Sequence, residues 1–393
     1  MTAEAPVSAS DPGPVSLAVI AREWARIGCI GFGGPPTHIR LLRELCVQRR
    51  GWLDAREFED AIAVCNLLPG PASTELAIFC AWRLRRRPGA LAGGLAFIIP
   101  GLILILALSA LFLAKSPPLW VLGAGAGAGA AVPAVAIHAG AGLAGASWQR
   151  RQQTVRWLAY LIAGTVAAAT IGEWLVLVLL ACGFIELAAQ LGGSRAGGGN
   201  AAAVVTASKL AVGAVGGGVL LSVAWVAFKV GALSWGGGFV IVPLMQSDAV
   251  SHYHWMTGAQ FLNAVALGQV TPGPVVQTVA VVGYAAAGLA GGLLAAVVAF
   301  TPSFAFILLG AGRFDQIRRD RRARGFLAGA GPAAIGAILG SAIPLARSLS
   351  HPWQYAILAA ALILLLLARR GVVLTLLAAG AVGVVVALVA GLS

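Results

Sequence analysis

The chain has 393 residues, 59% of them hydrophobic and only 10% charged, with 52 glycines. That composition belongs to a helical integral membrane protein and argues against a soluble domain, and no alternating segments of about ten residues suggest an outer-membrane barrel. The net charge of +13 comes from arginines bunched between apolar stretches, so it reports orientation in a bilayer rather than a nucleic-acid surface.

Residues 1–13 are polar, with Pro12 and Gly13 as breakers, and read as a disordered tail. Met1 to Pro14 carries Glu4 and Asp11 but no basic region, so no signal peptide is expected. A helix is expected from Val15, interrupted by Arg22, Glu23 and Arg26 and stopped at Gly31-Phe32-Gly33-Gly34-Pro35-Pro36. Arg40, Arg43, Arg49, Arg50 and Arg56 then form a basic stretch that should stay cytoplasmic.

Glu57 to Leu84 carries Pro69-Gly70-Pro71 near its centre and is followed by a second basic cluster, Arg83, Arg85, Arg86 and Arg87. If both clusters face the cytoplasm, the segment between them cannot cross the membrane. A re-entrant hairpin turning at the proline break satisfies both constraints, and such a break is tolerated at depth only inside protein or against a polar cavity. Spans at about 89–113, 119–146, 157–172 and 174–191 complete the first half. The run Gly123 to Ala131 resembles a nucleotide loop, but no strand precedes it and no lysine follows, so close packing of helices through small residues is expected.

The second half repeats the first. Trp52, Phe58 and Pro69-Gly70-Pro71 recur 203 residues later as Trp255, Phe261 and Pro272-Gly273-Pro274. Gly28, Gly33 and Gly34 pair with Gly231, Gly236 and Gly237, and Arg26 pairs with Lys229. The loop Gln246 to Thr257 and the stretch Ala285 to Gly292 carry no Lys or Arg, whereas the arginines from Arg313 to Arg324 end the span at about 289–311. Further spans are expected near 326–346, 353–368 and 371–392. Equivalent loops therefore face opposite sides. The fold class is an all-α polytopic membrane protein with an inverted repeat, its halves at 14–191 and 210–393 joined by a linker at 192–209, each with a re-entrant hairpin.

The half-helix that leaves each break presents its N-terminal N–H groups at mid-membrane, which suits an anion. Neutral donors surround both tips: Asn66, Ser73 and Thr74 at the first, and Gln269, Gln277 and Thr278 at the second. Arg26 and Lys229 would balance the charge of an entering dianion, or else snorkel to the interface. Glu75 and Asp60 are candidates for proton coupling, with Thr278 and Asn263 at the equivalent positions. His252 and His254 lack a third ligand, so no metal is expected. The five cysteines are scattered without a C-x-x-C pair and read as reduced, and no nucleophile pattern or cofactor fingerprint points to an enzyme.

Phe32-Gly33-Gly34-Pro35, Trp52 and Pro69-Gly70-Pro71, with degenerate copies at Trp235-Gly236-Gly237-Gly238, Trp255 and Pro272-Gly273-Pro274, resemble the chromate ion transporter family, long-chain two-domain type. The resemblance runs from about residue 15 to 393 and implies export of chromate across a bacterial inner membrane, with chromate resistance as the result. It also implies two homologous domains in opposite orientation. Its motifs fall on Gly33, Gly34 and Pro35 and on Pro69, Gly70 and Pro71, while Gly238 departs from proline in the second half. Partners are then the oxyanion and the lipid bilayer, with no nucleic acid, no cofactor and a homodimer left open. Sulfate, with the same charge and shape, is the alternative substrate for an uptake system, and an anion channel is the rival within transport.

Overall fold

Apolar runs of this length can satisfy their backbone in a membrane only as helices, and every regular element described in the computed structural model is helical. It describes residues 15–66, 68, 70–149, 151, 153–192, 218–234, 239–314, 316 and 320–390. The tail, most of the linker, Pro69 and the second glycine break at Trp235-Gly236-Gly237-Gly238 lie outside the described residues.

Helix α1 (Leu17–Ile30) is capped by Ser16, whose hydroxyl accepts from the Val19 amide at 3.3 Å. It stops before Gly33 and Gly34, whose φ angles of 94° and 75° are readily open only to glycine. Pro35 and Pro36 then open α2 (Pro35–Arg43). The prolines thus start a helix as well as ending one, because their fixed φ suits a first turn whose N–H groups have no partner. A π-turn at Glu44–Arg49 leads to α3 (Ala55–Cys65), capped by Asp54.

Helix α4 (Ala72–Phe112) begins at Pro71 and is broken at Arg85 and Arg86. Its first segment returns beside α3, and Arg83 near its end is ion-paired with Glu57 near the start of α3. The two form a hairpin with arms of about 20 Å or less at 1.5 Å per residue, too short to cross a hydrocarbon core of about 30 Å. Helices α5 (Leu119–Gln149), α6 (Thr154–Thr170) and α7 (Leu175–Gly192) complete the half close to the expected spans.

The second half comprises α8 (Val219–Ala232), α9 (Ile241–Gln246), α10 (Gly258–Val270), α11 (Thr278–Gly310), α12 (Arg321–Arg347), α13 (Pro352–Leu362) and α14 (Val372–Ala390). Its local structure repeats the first half in detail. The π-turn Glu44–Arg49 recurs as Ser247–His252, and left-handed Gly51 (φ 57°) recurs as His254 (φ 52°), each 203 residues on. The loop expected at Gln246–Thr257 is therefore partly helical. The kink recurs one residue out of step. Ala287 and Gly288 have φ/ψ of −148°/30° and 60°/−152°, against −143°/27° and 51°/−138° at Arg85 and Arg86. A positive φ is disfavoured for L-residues, so His254 at the position equivalent to left-handed Gly51 marks a shared backbone plan.

Glycine contacts explain why small residues recur too. A Cβ at Gly28 would meet the Phe97 carbonyl oxygen at 2.5 Å, and one at Gly231 would collide with the Ala299 carbonyl oxygen, so α1 lies as close to α4 as α8 lies to α11. In the glycine-alanine run, Gly123 and Gly127 face α14 at Gly383 while Gly125 and Gly129 face Asn263 of α10. The run is a packing surface. The later helices are exchanged between halves: α5 packs on α13 and α14, whereas α12 packs on α6 and α7.

Five of the described helical segments are long and apolar enough to cross a membrane, counting α4 and α11 whole. Leu91, Leu95, Ile99 and Ile103 form an exposed stripe at helical spacing along α4, as a lipid-facing surface requires. In contrast, every residue from Ala72 to Trp82 is buried, and so is every residue from Thr271 to Gly283. The segments after the two breaks are wrapped in protein.

Candidate functional site

The breaks of the two halves meet. The Gly31 carbonyl, exposed by the end of α1, accepts from the Gly273 N–H at 3.1 Å and from His38 Nε2–H at 2.9 Å. His38 Nδ1 in turn accepts from the Ser73 hydroxyl at 3.3 Å, and Phe97 stands edge-on to its ring with centroids 5.0 Å apart. The Gly31 carbonyl can only accept, so Nε2 carries a proton, and in the neutral ring Nδ1 is then the acceptor. Ser73 of the first hairpin, the glycine break and the second Pro-Gly-Pro are therefore joined through one imidazole and one carbonyl.

The second break packs on α4. Gln277 donates from Nε2 to the Ile98 carbonyl at 2.7 Å, and a side chain at Gly101 would collide with the Pro272 carbonyl oxygen. Only glycine there lets the break approach the long helix so closely. Thr278 donates to the Val275 carbonyl at 2.8 Å and Thr271 to that of Leu267 at 2.8 Å, spending both hydroxyls on the tip itself.

At the first break, Glu75 turns back along its own helix so that a side chain at Gly70 would strike its carboxyl oxygen, with Ser303 of α11 beside it. Among the described residues, Thr74 Oγ1, both Glu75 oxygens, Gln269 Nε2, Gln277 Oε1 and Ser303 Oγ are buried without a hydrogen-bond partner. Interiors rarely leave polar atoms so, and here they concentrate at the breaks. Ser234, at the end of α8 before the second glycine break, is another. A cleft of about 510 Å³ opens beside Leu68 and the end of α11 at Phe306 and Leu309.

The remaining expected residues divide. Gly34, Gly70, Pro71, Pro272 and Pro274 are buried within the breaks, whereas Gly33 is exposed and Asn66 is an exposed C-cap of α3. Asp60 is half-buried on α3. Pro69, Gly236 and Gly237 lie outside the described residues. Arg26 is exposed and lines a surface groove with Glu23, Glu44 and Arg49. Lys229 is held by both oxygens of Asp248, at 2.8 and 2.7 Å, with Trp225 beside its ammonium. His254 folds onto the Val250 carbonyl at 2.8 Å, and among the described residues no cluster of three His, Cys, Asp or Glu is arranged for a metal.

Sequence reasoning passed over His38, Ser303 and Asp248. A carboxylate within an apolar stretch is itself a signal, and Asp248 carried it. His38 has Ile241 at the equivalent position, and Ser303, beyond the one-residue shift at the kink, has Gly101, so a search for paired polar residues does not find them.

A family model described as chromate transporter matches residues 18–187 and 221–384, covering both halves. A chromate transport protein of Cupriavidus metallidurans is 31% identical over 93% of this chain and 92% of its own length. One from Pseudomonas aeruginosa is 31% identical over 86% of this chain and 82% of its own, and a probable chromate transport protein of Synechococcus elongatus is 27% identical over 86% of each. No solved structure matches. With both halves matched and the two breaks built from the same elements, the chain belongs to the chromate transporter family.

Proposed function

We propose that this protein is a secondary transporter that exports chromate across the bacterial inner membrane, binding the oxyanion at mid-membrane between the tips of two re-entrant hairpins of an inverted repeat. The observation that carries the reading is the concentration of buried, unpartnered polar atoms at two helix-starting breaks that touch each other. A tetrahedral oxyanion offers acceptors to hydroxyl, amide and backbone N–H groups that otherwise go unused. Thr74 and Gln269 are the side chains we assign to it, with the second Nε2 proton of Gln277 and the backbone of Gly70, while the Ser73 hydroxyl and the Gly273 N–H are given to His38 and Gly31 and hold the two breaks together.

The charges have a different part. Lys229 is neutralised by Asp248 and braces α8 against the π-turn, whereas the exposed Arg26 acts on the approaching anion through the field rather than by contact. The hairpin arms are too short to span, which supports re-entry, and the reversal of arginine between equivalent loops supports opposite orientation of the halves. Energy comes from the membrane potential, the proton gradient or anion exchange. A negative interior favours anion exit by about 2.3 kcal/mol per charge per 100 mV.

The test is chromate accumulation in chromate-sensitive bacterial cells with and without the protein, at several sulfate concentrations. Lower accumulation in cells that carry it is the expected result. Higher accumulation, relieved by sulfate, would make it an uptake system for sulfate that admits chromate and would overturn export.

A further inference from the structure

Glu75 is an anomalous group among the described residues. Its residue is 0% exposed, and neither carboxyl oxygen has a hydrogen-bond partner. It sits against Gly70 at the first break, where Ser303 from the other half of the chain, also 0% exposed and unpartnered, comes in from α11. Thr74, one residue before, is a third such group. Glu75 and Ser303, from the two halves of the chain, thus converge on one break, and neither side chain has a hydrogen-bond partner among the described residues.

Among the described residues, the groups around Glu75 supply no counter-charge. From α3 the ionisable neighbour is Cys65. From α2, His38 is bonded to Ser73 and Gly31 in its neutral form. From α1, Trp24 donates to the Ala77 carbonyl at 2.8 Å, and α11 contributes the hydroxyl of Ser303. A bare carboxylate in that setting bears the full loss of its hydration and would repel an arriving dianion. A carboxylic acid brings its own O–H donor, which an oxyanion can accept.

Resting on the reading of the breaks as the oxyanion site, we infer that Glu75 and Ser303 form one subsite at which the dianion binds together with a single proton carried by Glu75. The proton bound to a carboxyl oxygen points at the anion, and Ser303 donates a second hydrogen bond to the same ligand. When the anion leaves, the carboxyl gives its proton to water on that side, so one proton and one dianion move in the same direction per cycle. The positions equivalent to Glu75 and Asp60 are Thr278 and Asn263, so the second break has no matching carboxyl. One proton against two negative charges leaves the moving complex with a net charge of −1. A negative interior then drives it outward, and the single carboxyl makes an exporter of a site that two or more further protons would turn toward uptake.

The experiment uses the full chain in proteoliposomes and finds the chromate gradient at which net flux vanishes, with imposed voltage and imposed pH difference varied separately and both pH values kept where chromate is the dianion. In the wild type, one pH unit should offset about a tenfold chromate gradient, and about 59 mV should offset about a tenfold gradient, as for a single net charge. In Glu75→Gln, which keeps a donor but carries no proton, the pH difference should have no effect and about 59 mV should offset about a hundredfold gradient. Ser303→Ala should raise the KM for chromate several-fold and leave the null points at their wild-type values. A wild-type null point indifferent to pH, with chromate flux intact, overturns the inference even if Glu75→Gln fails to fold. An unchanged KM in Ser303→Ala removes that residue from the subsite. Absence of any chromate flux in the wild type would instead sink the functional reading beneath it.

Discussion

The Gly273 N–H of the second half donates to the Gly31 carbonyl of the first at 3.1 Å. That bond runs between the end of a helix that has lost its next turn and a proline break that has freed an amide, so each half supplies what the other lacks. Under the transport cycle we propose, movement of one half against the other would have to break or carry this contact. The breaks are therefore where substitutions should speak most clearly about mechanism.

Gly101 sets the distance between the second break and α4, because any Cβ there meets the Pro272 carbonyl and the Gln277 side chain. Gly101→Val should destabilise the protein by about 1–3 kcal/mol and slow transport, since a backbone oxygen cannot step aside as a flexible side chain would. Gly331→Ala, on a face of α12 with open space around it, is the control and should change neither. Thermal unfolding in detergent and chromate flux in vesicles measure both.

His38 should matter for its two nitrogens rather than its bulk. His38→Ala leaves the Ser73 hydroxyl without its acceptor and removes one donor from the Gly31 carbonyl, a loss of about 1–3 kcal/mol where the groups stay buried. His38→Gln, which has one donor and one acceptor to offer, should recover part of the stability and of the transport rate. Equal loss in the two variants would mean that packing against Phe97, not hydrogen bonding, is what the imidazole supplies.

Lys229 and Asp248 are 19% and 11% exposed at their side chains, so removing one leaves the other charged and buried. Lys229→Met should cost about 3–5 kcal/mol. The double variant Lys229→Met, Asp248→Leu should regain most of the stability and retain transport, as expected of a pair that braces α8 against the π-turn. A stable double variant that transports nothing would return Lys229 to the anion itself.

The opposite orientation we propose for the halves would place the two kinks on opposite sides of the membrane. In a background without the exposed Cys29, Arg87→Cys should react with an impermeant thiol reagent from the cytoplasm alone, and Leu289→Cys from the outside alone. Labelling of both from one side would exclude the inverted repeat.

Much of the fold was legible because breaks and charges are local features. Gly33, Gly34 and Pro35 announce a chain reversal wherever they occur, and arginine clusters bound the spans to within a few residues of the observed helices. What could not be read depends on register between helices. The exchange of α5 and α12 between halves rests on faces of alanine and glycine that look alike at every turn, and nothing in such a run says which partner it meets. The bond from Lys229 to Asp248 closes across a π-turn, whose extra residue shifts the face on which Asp248 lies.

The candidate site could be outlined from the sequence, but not its membership. Glu75, Ser73 and Thr74 follow directly from the proline break, and their burial confirms that the segment lies inside the protein. His38 and Ser303 reach the same place from other helices and have no polar counterpart 203 residues away, so duplication, which revealed the architecture, hid them.

The central claim is that the oxyanion sits between the two breaks. The most direct measurement is a structure of the protein with chromate bound, with chromium located by its anomalous scattering. One dominant chromium peak is expected, enclosed by Ser73, Thr74, Glu75 and Gln277 and weakened in Ser303→Ala. A dominant peak in the groove beside Arg26 and Glu44, with the breaks empty at a concentration that saturates transport, would contradict it.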